Sequence, residues 1–394
     1  MLSGPASSRW RAKKMSNLRE HNLGLVLTGG GARAAYQVGF LLGLTRLIPE
    51  LRIPILTGVS AGAINAAFLA NHRGPLPQAV QDLADLWRGL EVSDIFRVDA
   101  FWLLRNFVRW ASRLSTGGTA LTPQVKGFMD TEPLRQLLHR ALATRDGRIP
   151  GIQHNLSTGR LRSLALLTVD YATGRTVTWV EGRDVRDWER PRRLSRSTEM
   201  TVEHVMASAA LPLLFPAVRL ENSWYGDGGI RMAAPLAPAI HLGADRVLAI
   251  STLSGGKRNA ALEGYPPPAQ IAGSLLNAIF LDVLDQDARM LERINALLRE
   301  RPLEHRGGLR EVGICLMRPT VDLGRMSVEF EPDLPRAFRF FTRGLGTRET
   351  SSPDLLSLLM FHPGYLTRLI EIGENDAAAH VDEVRALVKR GPES

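Results

Sequence analysis

The hydrophobic pattern of the chain predicts two consecutive strand–helix units near its N-terminus. The apolar run LGLVLT at residues 23–28 is typical of a buried strand, and three glycines separate it from the helical pattern RAAYQVGFLLGLTRL. The run RIPILTG at residues 52–58 predicts a second strand, and AGAINAAFLAN predicts the helix that comes after it. Two such units with glycine at each junction indicate a parallel sheet connected by right-handed crossovers.

The rest of the pattern predicts further strands and two helical regions. SLALLTVDYATGRTVTWV indicates a hairpin with its turn at residues 172–174, while DRVLAIST and EVGICLM indicate two later buried strands. Residues 73–160 are predicted to form a mostly helical insertion. We therefore predict a basic flexible arm at residues 1–22, an α/β core at 23–260, and a mainly helical region at 261–394 with one further strand that packs on the core.

Composition and charge restrict the classes of partner. A hydrophobic content of 44% and a charged content of 23% over 394 residues are ordinary for a globular protein. The net charge of +9 is compatible with nucleic acid or with an anionic lipid surface. Because the chain lacks basic patches interleaved with aromatic residues, we do not expect a nucleic-acid partner. No metal-ligand spacing is visible, so no metal or other cofactor is expected.

Several features of the chain predict a cytoplasmic protein, associated with membranes at most peripherally. The sequence has no uninterrupted apolar stretch long enough to span a bilayer. Its basic first residues lead into a polar segment, which is unlike the apolar centre of a secretory signal. The single cysteine, Cys315, excludes an internal disulfide and fits a reducing compartment. It lies in the apolar run VGICLM, which predicts a buried strand residue.

A serine between two glycines ends the second predicted strand. Gly58-Val59-Ser60-Ala61-Gly62 matches the G-x-S-x-G pattern of a nucleophile elbow, in which a serine occupies a sharp turn between a strand and a helix. Glycines on either side allow the strand and the helix to approach without a Cβ clash. Short motifs of this kind also occur by chance, so the surrounding sequence has to decide.

The glycine run after the first predicted strand favours binding of an anion or an oxyanion. Gly29, Gly30 and Gly31 expose backbone N–H groups at the start of a helix. A dinucleotide loop is the alternative, since Gly29-x-Gly31-x-x-Ala34 satisfies its loose fingerprint. That interpretation requires an acidic residue at the end of the second strand. Glu50 precedes this strand and the serine turn occupies its end, which weighs against a dinucleotide.

A later Asp-Gly-Gly turn offers a base for the serine. Asp227 is followed by Gly228 and Gly229 after a short β-like run, a pattern that by itself usually indicates only a turn. It gains weight because a nucleophilic serine needs a base. A histidine would supply that base in a catalytic triad. No histidine after the serine lies at an obvious strand end, and His204 and His241 fall within helical patterns.

Together, the motifs GGGARAAYQVG, GVSAG and YGDGG resemble the bacterial type of patatin-like phospholipase. The resemblance extends through HVMASAALPLLFP and PLAPAIHLGADRVLAIS to FLDVLDQDARMLERIN. It covers roughly residues 23–300, with weaker similarity to residue 375. The chain departs from many members at Thr28, where they carry an acidic residue, and at Ala34, where they carry glycine.

The resemblance implies a fold and a reaction. The fold is a three-layer α/β/α sandwich with a central, mainly parallel sheet, plus the helical insertion and the helical C-terminal extension. The reaction is hydrolysis of fatty-acyl esters of phospholipids or related lipids, with Ser60 as nucleophile and Asp227 as base in a dyad. Two alternatives stay open: a non-catalytic lipid-binding protein on a degenerate hydrolase fold, and a carboxylesterase that uses a histidine.

The resemblance also implies roles for the glycine loop. Its backbone N–H groups, together with that of Ala61, would hold the tetrahedral oxyanion. Arg33 would fix the loop through backbone carbonyls, and the alternative is that Arg33 lies at the surface. The oxyanion residues are therefore Gly29, Gly30, Gly31 and Ala61.

Residues 100–115, AFWLLRNFVRWASRLS, form an amphipathic pattern. At 100° per residue, Arg105, Arg109 and Arg113 fall on one stripe, and apolar residues such as Phe107 occupy most of the remaining surface. This is the composition of a helix that binds an anionic membrane interface. The same apolar face could instead pack on the α/β core with the arginines in water. The pattern does not separate the two interpretations.

Overall fold

A central sheet organises the protein. The computed structural model describes residues 22–97, 108, 127–254, 270–271, 273–275, 282–344 and 354–389. Within these residues the sheet has ten strands, in the order β10-β9-β1-β2-β3-β4-β6-β5, and β8 pairs with both β3 and β7. The strands are β1 (Leu23–Leu27), β2 (Ile55–Gly58), β3 (Ser163–Asp170), β4 (Thr176–Gly182), β5 (Glu189–Arg190), β6 (Arg193–Ser197), β7 (Val218–Leu220), β8 (Ser223–Asp227), β9 (Arg246–Ile250) and β10 (Gly313–Met317).

The centre of the sheet is parallel, as the sequence predicts. β10, β9, β1, β2 and β3 pair in parallel, with Leu25 of β1 in register with Leu56 on one side and Leu248 on the other. These strands are mostly buried along their length because helices cover both faces of a parallel sheet. β3 and β4 form the predicted antiparallel hairpin.

Helices lie on both faces of the sheet. The side chains of β1 alternate between two buried clusters, with Leu25 and Leu27 in one and Val26 in the other. This alternation confirms the three-layer α/β/α arrangement. The helices are α1 (Ala35–Leu47), α2 (Ala61–Asn71), α3 (Leu76–Arg88), α4 (Val92–Ile95), α5 (Glu132–Ala141), α6 (Pro150–Thr158), α7 (Val202–Ser208), α8 (Ala237–His241), α9 (Asp282–Arg299), α10 (Leu323–Phe330), α11 (Arg336–Gly344), α12 (Asp354–Leu359), α13 (Pro363–Ala379) and α14 (Val381–Lys389).

The C-terminal helix α13 packs closely against α1. A Cβ atom built on Gly39 would lie 2.1 Å from the carbonyl oxygen of Ile370, and one built on Gly373 would lie 2.4 Å from that of Tyr36. Glycine on both helices therefore lets the two backbones approach each other. The Tyr36 hydroxyl also donates to Oδ2 of Asp376 at 3.0 Å. The domain boundary at residue 260 stays a prediction. The packing of α1 against α13 connects residues on either side of that boundary.

The amphipathic segment at residues 100–115 lies outside the described residues except for Val108, whose side chain is exposed. The described parts of the insertion are helical on both sides of it, in α3, α4, α5 and α6. None of the helices in the described part of the chain combines the length and the hydropathy needed to cross a membrane.

Candidate active site

Two strands that run in opposite directions share one edge of β3, and their ends meet. β2 ends in register with Leu166, while β8 ends with Asp227 in register with Thr168, so that only Leu167 separates the two ends. Ser60 follows β2 after a single residue. The pairing of the sheet therefore brings the serine and the aspartate of the two sequence motifs to the same place.

The turn between β2 and α2 has the sharp geometry that its motif predicts. Ser60 is buried and has φ 57° and ψ −131°, a backbone conformation that costs a non-glycine residue about 1–3 kcal/mol. A Cβ atom on Gly58 would lie 2.4 Å from the Gly62 carbonyl oxygen, and one on Gly62 would lie 2.3 Å from that of Leu27. Both motif glycines are thus required by close backbone approach.

Ser208 fixes the strained turn. The Ser60 amide donates to the Ser208 carbonyl oxygen at 3.1 Å and to its Oγ at 3.2 Å. The Ser208 hydroxyl in turn donates to the carbonyl oxygen of Leu167 at 2.7 Å, in the gap between β2 and β8. The sequence analysis did not single out Ser208, although it lies within the segment HVMASAALPLLFP that carries part of the family resemblance.

Asp227 is fully buried beside the serine. Its Oδ1 accepts a hydrogen bond from the Gly229 amide at 2.9 Å, while Oδ2 has no conventional partner among the described residues. Burial raises the pKa of this carboxyl to about 7, although hydrogen bonding from the Ser60 hydroxyl and from Gly229 acts in the opposite direction. The contact with Ser60 affects the pKa but falls outside conventional hydrogen-bond geometry. An aspartate in this environment can hold a proton near neutral pH.

The glycine loop lies beside the serine turn. Gly30 and Gly31 have φ of 155° and 53°, and the Thr252 hydroxyl holds the loop by donating to the Gly29 carbonyl oxygen at 2.8 Å. Gly31 begins a short 3₁₀ helix and Ala61 begins α2, so their N–H groups have no acceptor within their own helices. Both residues line the same cavity as Ser60. The loop can therefore supply donors to a negatively charged oxygen there.

A buried polar network ties the loop to the helices around it. Gln37 on α1 donates to the Thr28 carbonyl oxygen at 2.9 Å and to that of Ile250 at 3.1 Å. Asn65 on α2 donates to the Gln37 side chain at 3.2 Å and accepts from the Trp87 indole at 2.8 Å. These residues fall on apolar helical patterns, and no local signal in the sequence identifies them.

Arg33 is buried, so its alternative placement at the surface is wrong. Only 1% of the residue is exposed. Its guanidinium donates to the Ser357 hydroxyl at 2.7 Å, to the Asp354 carboxylate at 2.7 Å and to the Asp354 carbonyl oxygen at 3.0 Å. Both partners belong to α12, more than 300 residues further along the chain. Arg33 thus connects the end of the glycine loop to the C-terminal region.

An apolar cavity opens from the serine. Ser60 supplies the one side-chain hydroxyl among the described residues that line it, and the rest of the lining is almost entirely aliphatic and aromatic. Elements from the core, the insertion and the C-terminal region all contribute. Lining residues include Ile64, Phe68, Trp87, Leu138, Phe215 and Phe361.

The histidines singled out from the sequence, His204 and His241, contact residues other than the serine and the aspartate of this site. His204 is buried, receives a hydrogen bond from the Thr201 amide at 3.2 Å and packs edge-on against Trp179. Burial lowers the pKa of His204 to about 4. His241 stacks on Trp188. In the part of the chain that the structure describes, no histidine forms a hydrogen bond with the serine or the aspartate.

The described residues contain no group of three or more His, Cys, Asp or Glu side chains that could hold a metal ion. Cys315 lies buried on β10, as its apolar surroundings predict. The described residues that line the cavity carry no acidic or basic side chain.

Comparison with solved structures finds matches at low sequence identity and with TM-scores below 0.5. VipD from Legionella pneumophila is 14% identical, with 92% of this chain and 67% of that chain covered and a TM-score of 0.40. Human GIVD cytosolic phospholipase A2 is 14% identical, with 94% and 60% covered and a TM-score of 0.44. ExoU from Pseudomonas aeruginosa, in complex with SpcU, is 15% identical, with 86% and 70% covered and a TM-score of 0.23. This chain thus spans about three fifths of the human protein.

No curated protein sequence matches the chain. The model of one protein family, described as patatin-like phospholipase, matches residues 25–240, which is more than half of the 394 residues. The matched region contains the glycine loop, the serine turn and the Asp-Gly-Gly turn. The chain belongs to the patatin-like phospholipases, a family of lipid acyl hydrolases.

Proposed function

We propose that this protein hydrolyses fatty-acyl esters of phospholipids or related lipids with Ser60 as nucleophile and Asp227 as base. One observation carries the proposal: the buried serine lies next to a buried carboxylate and also at the wall of an apolar cavity. An apolar cavity suits a fatty-acyl chain because burial of each CH₂ group contributes about 0.8 kcal/mol. The serine would then meet the ester carbonyl at the end of that chain.

The first half of the reaction would form an acyl-enzyme. Ser60 Oγ attacks the carbonyl carbon while its proton passes to the Asp227 carboxylate, which needs no histidine as intermediary. The N–H groups of Gly29, Gly30 and Gly31, with that of Ala61, would hold the oxyanion that forms on the carbonyl oxygen. Collapse of the tetrahedral intermediate releases the alcohol, which takes the proton from the aspartate.

The second half would release the fatty acid. Water attacks the acyl-enzyme and gives a proton to the Asp227 carboxylate, which returns it to Ser60 Oγ as the acyl–serine bond breaks. The raised pKa of Asp227 supports this role, because a base with a pKa near the working pH accepts and returns a proton with similar ease. An aspartate at its ordinary pKa would be a weak base.

A serine-directed fluorophosphonate probe tests the assignment. Purified wild-type protein should be labelled at Ser60, and should hydrolyse lipid and short p-nitrophenyl esters. Ser60→Ala should lose both labelling and hydrolysis. Full labelling at a different serine, or full activity in Ser60→Ala, contradicts the proposal. A lipid-binding protein on a degenerate fold would bind liposomes with no labelling and no hydrolysis.

We also propose that residues 100–115 contact an anionic membrane surface. The arginine stripe and the apolar remainder of this segment support the proposal, together with the net charge of +9. A hydrolase of membrane lipids must reach a substrate that is held in an aggregate. Packing of the same apolar face on the core is the competing explanation.

A further inference from the structure

The short helix α12 touches the glycine loop although it lies far outside residues 25–240, which match the family model. A Cβ atom on Gly31 would lie 2.1 Å from the carbonyl oxygen of Leu358, so the loop backbone rests directly on that of α12. Leu358 and Leu359 also line the apolar cavity. A C-terminal element is therefore part of the wall beside the serine.

Arg33 stabilises the contact between the glycine loop and α12. It is two residues from Gly31, and its guanidinium forms an ion pair with Asp354 in which both side chains are almost completely buried. The Ser357 hydroxyl accepts from Arg33 Nε at 2.7 Å and donates to the Asp354 carbonyl oxygen at 2.8 Å. Ser357 and Asp354 thus accept hydrogen bonds from two different nitrogens of Arg33, Nε and Nη2.

The backbone of the glycine loop needs outside contacts to fix its conformation. Two consecutive glycines at positive φ form its backbone, and glycine has more conformational freedom than any other residue. Oxyanion donors act only when they lie 2.7–3.1 Å from the oxyanion, and an error of about 1 Å can cost about 100-fold in rate. A buried ion pair is a poor source of stability but can hold a geometry.

We propose that Asp354 and Ser357 are positioning residues, which act through Arg33 to fix the oxyanion loop. The inference rests on the proposed acyl-ester hydrolysis. It assigns to the C-terminal region a part in the chemistry, rather than in folding alone. Loss of either side chain should lower the rate of the chemical step, because the donors to the oxyanion would lie in a wider range of positions.

The experiment compares these residues with matched controls elsewhere in the chain. The variants are Ser357→Ala and Asp354→Asn. Thr45, near the C-terminal end of α1, is a buried helical residue with the same hydroxyl-to-carbonyl bond three residues back, at 3.1 Å, so Thr45→Val controls for that bond. Glu331 is a buried carboxylate that pairs at 2.9 Å with Arg343, whose side chain is 35% exposed, so Glu331→Gln controls for loss of an ion pair at a buried carboxylate.

The measurements are kcat and KM on a soluble p-nitrophenyl ester, the rate of fluorophosphonate labelling, and the circular-dichroism melting curve. We expect Ser357→Ala and Asp354→Asn to lower kcat and the labelling rate at least tenfold while KM changes less than twofold. The two controls should keep kcat within twofold of wild type. A structural role alone would not separate kcat from KM in this way, nor distinguish the variants from their controls.

The inference is overturned if folded Ser357→Ala and Asp354→Asn keep kcat within twofold of wild type, or if the controls lose as much. If Asp354→Asn does not fold, the comparison of Ser357→Ala with Thr45→Val tests the inference. The proposed function is tested separately by Ser60→Ala. An active wild type, an inactive Ser60→Ala and unaffected α12 variants would reject this inference and leave the hydrolase in place.

Discussion

The burial of Asp227 determines how the proposed dyad responds to pH. Its carboxyl has no exposed surface and its pKa is raised to about 7, mainly by desolvation. A desolvated carboxyl favours its neutral form, whereas a general base must be ionised. The fraction of protein with a competent base should therefore increase as the pH rises through about 7, and should be small at pH 5.

We predict that kcat/KM rises with pH through a midpoint near 7 and then levels off. A rate profile from pH 5 to pH 9 on a soluble ester gives this midpoint directly. Asp227→Asn should lose roughly 10²- to 10⁴-fold in activity, the usual contribution of a general base. A midpoint near pH 4 would mean that Asp227 is not desolvated in solution.

Two histidine variants distinguish the dyad from a triad. His204→Ala and His241→Ala should keep both the activity and the pH midpoint of the wild type, because neither ring forms a hydrogen bond with the serine or the aspartate. If either folded variant is as inactive as Asp227→Asn, a histidine takes part in the proton transfer.

Helix α2 connects the serine to the far part of the apolar cavity. Ser60 precedes the helix, and Ala61, Ile64 and Phe68 line the cavity at spacings of three and four residues. This spacing places them on one face of a helix, and seven residues extend roughly 10 Å along its axis. The cavity therefore follows α2 away from the nucleophile, in the direction that a bound acyl chain would take.

We predict that Ile64→Trp shortens the acyl chain that the protein accepts. The larger side chain would fill the cavity one turn from the serine, so hydrolysis of long-chain esters should fall at least tenfold relative to a two- to four-carbon ester. Rates on a series of p-nitrophenyl esters of increasing chain length measure the change. Leu47→Trp adds similar bulk at an exposed position on α1 and should leave the series unchanged. An unaltered profile in folded Ile64→Trp would place the acyl chain elsewhere.

At the scale of the whole molecule, a hydrolase of membrane lipids needs a surface that binds a lipid aggregate. The predicted membrane segment at residues 100–115 lies outside the described residues apart from Val108. Its charge pattern supports electrostatic attraction to anionic lipid, which salt would screen. The segment lies within the insertion, whose helix α5 contributes to the cavity beside the serine.

We predict that polar replacements of Phe107 and Trp110 weaken flotation with anionic liposomes, because they remove apolar burial at the interface. Glutamine at Arg105, Arg109 and Arg113 should weaken flotation mainly at low salt, because it removes the charge attraction. Activity on the same liposomes should fall in parallel, while activity on a soluble ester stays constant. Folded variants with wild-type flotation and wild-type activity on liposomes would show that the segment serves the structure instead.

The sequence by itself determined the local features of this protein. The serine turn could be identified from the sequence because its G-x-S-x-G pattern is local, and the approach of Gly58 to Gly62 leaves no space for a Cβ atom within the turn itself. The buried strands and the β3–β4 hairpin are readable because apolar runs and turn residues act over the same short range. Three local motifs in this order, GGGARAAYQVG, GVSAG and YGDGG, were enough to indicate the family.

Only the tertiary structure determined which distant residues these local features contact. Ser60 and Asp227 are far apart in the chain, and they meet because β2 and β8 end on either side of Leu167 along the same edge of β3. The raised pKa of Asp227 arises from everything packed around it, which no spacing in the sequence records. Arg33 carries no local signal for its partner on α12, since a buried ion pair across more than 300 residues depends on how the C-terminal helices return to the core.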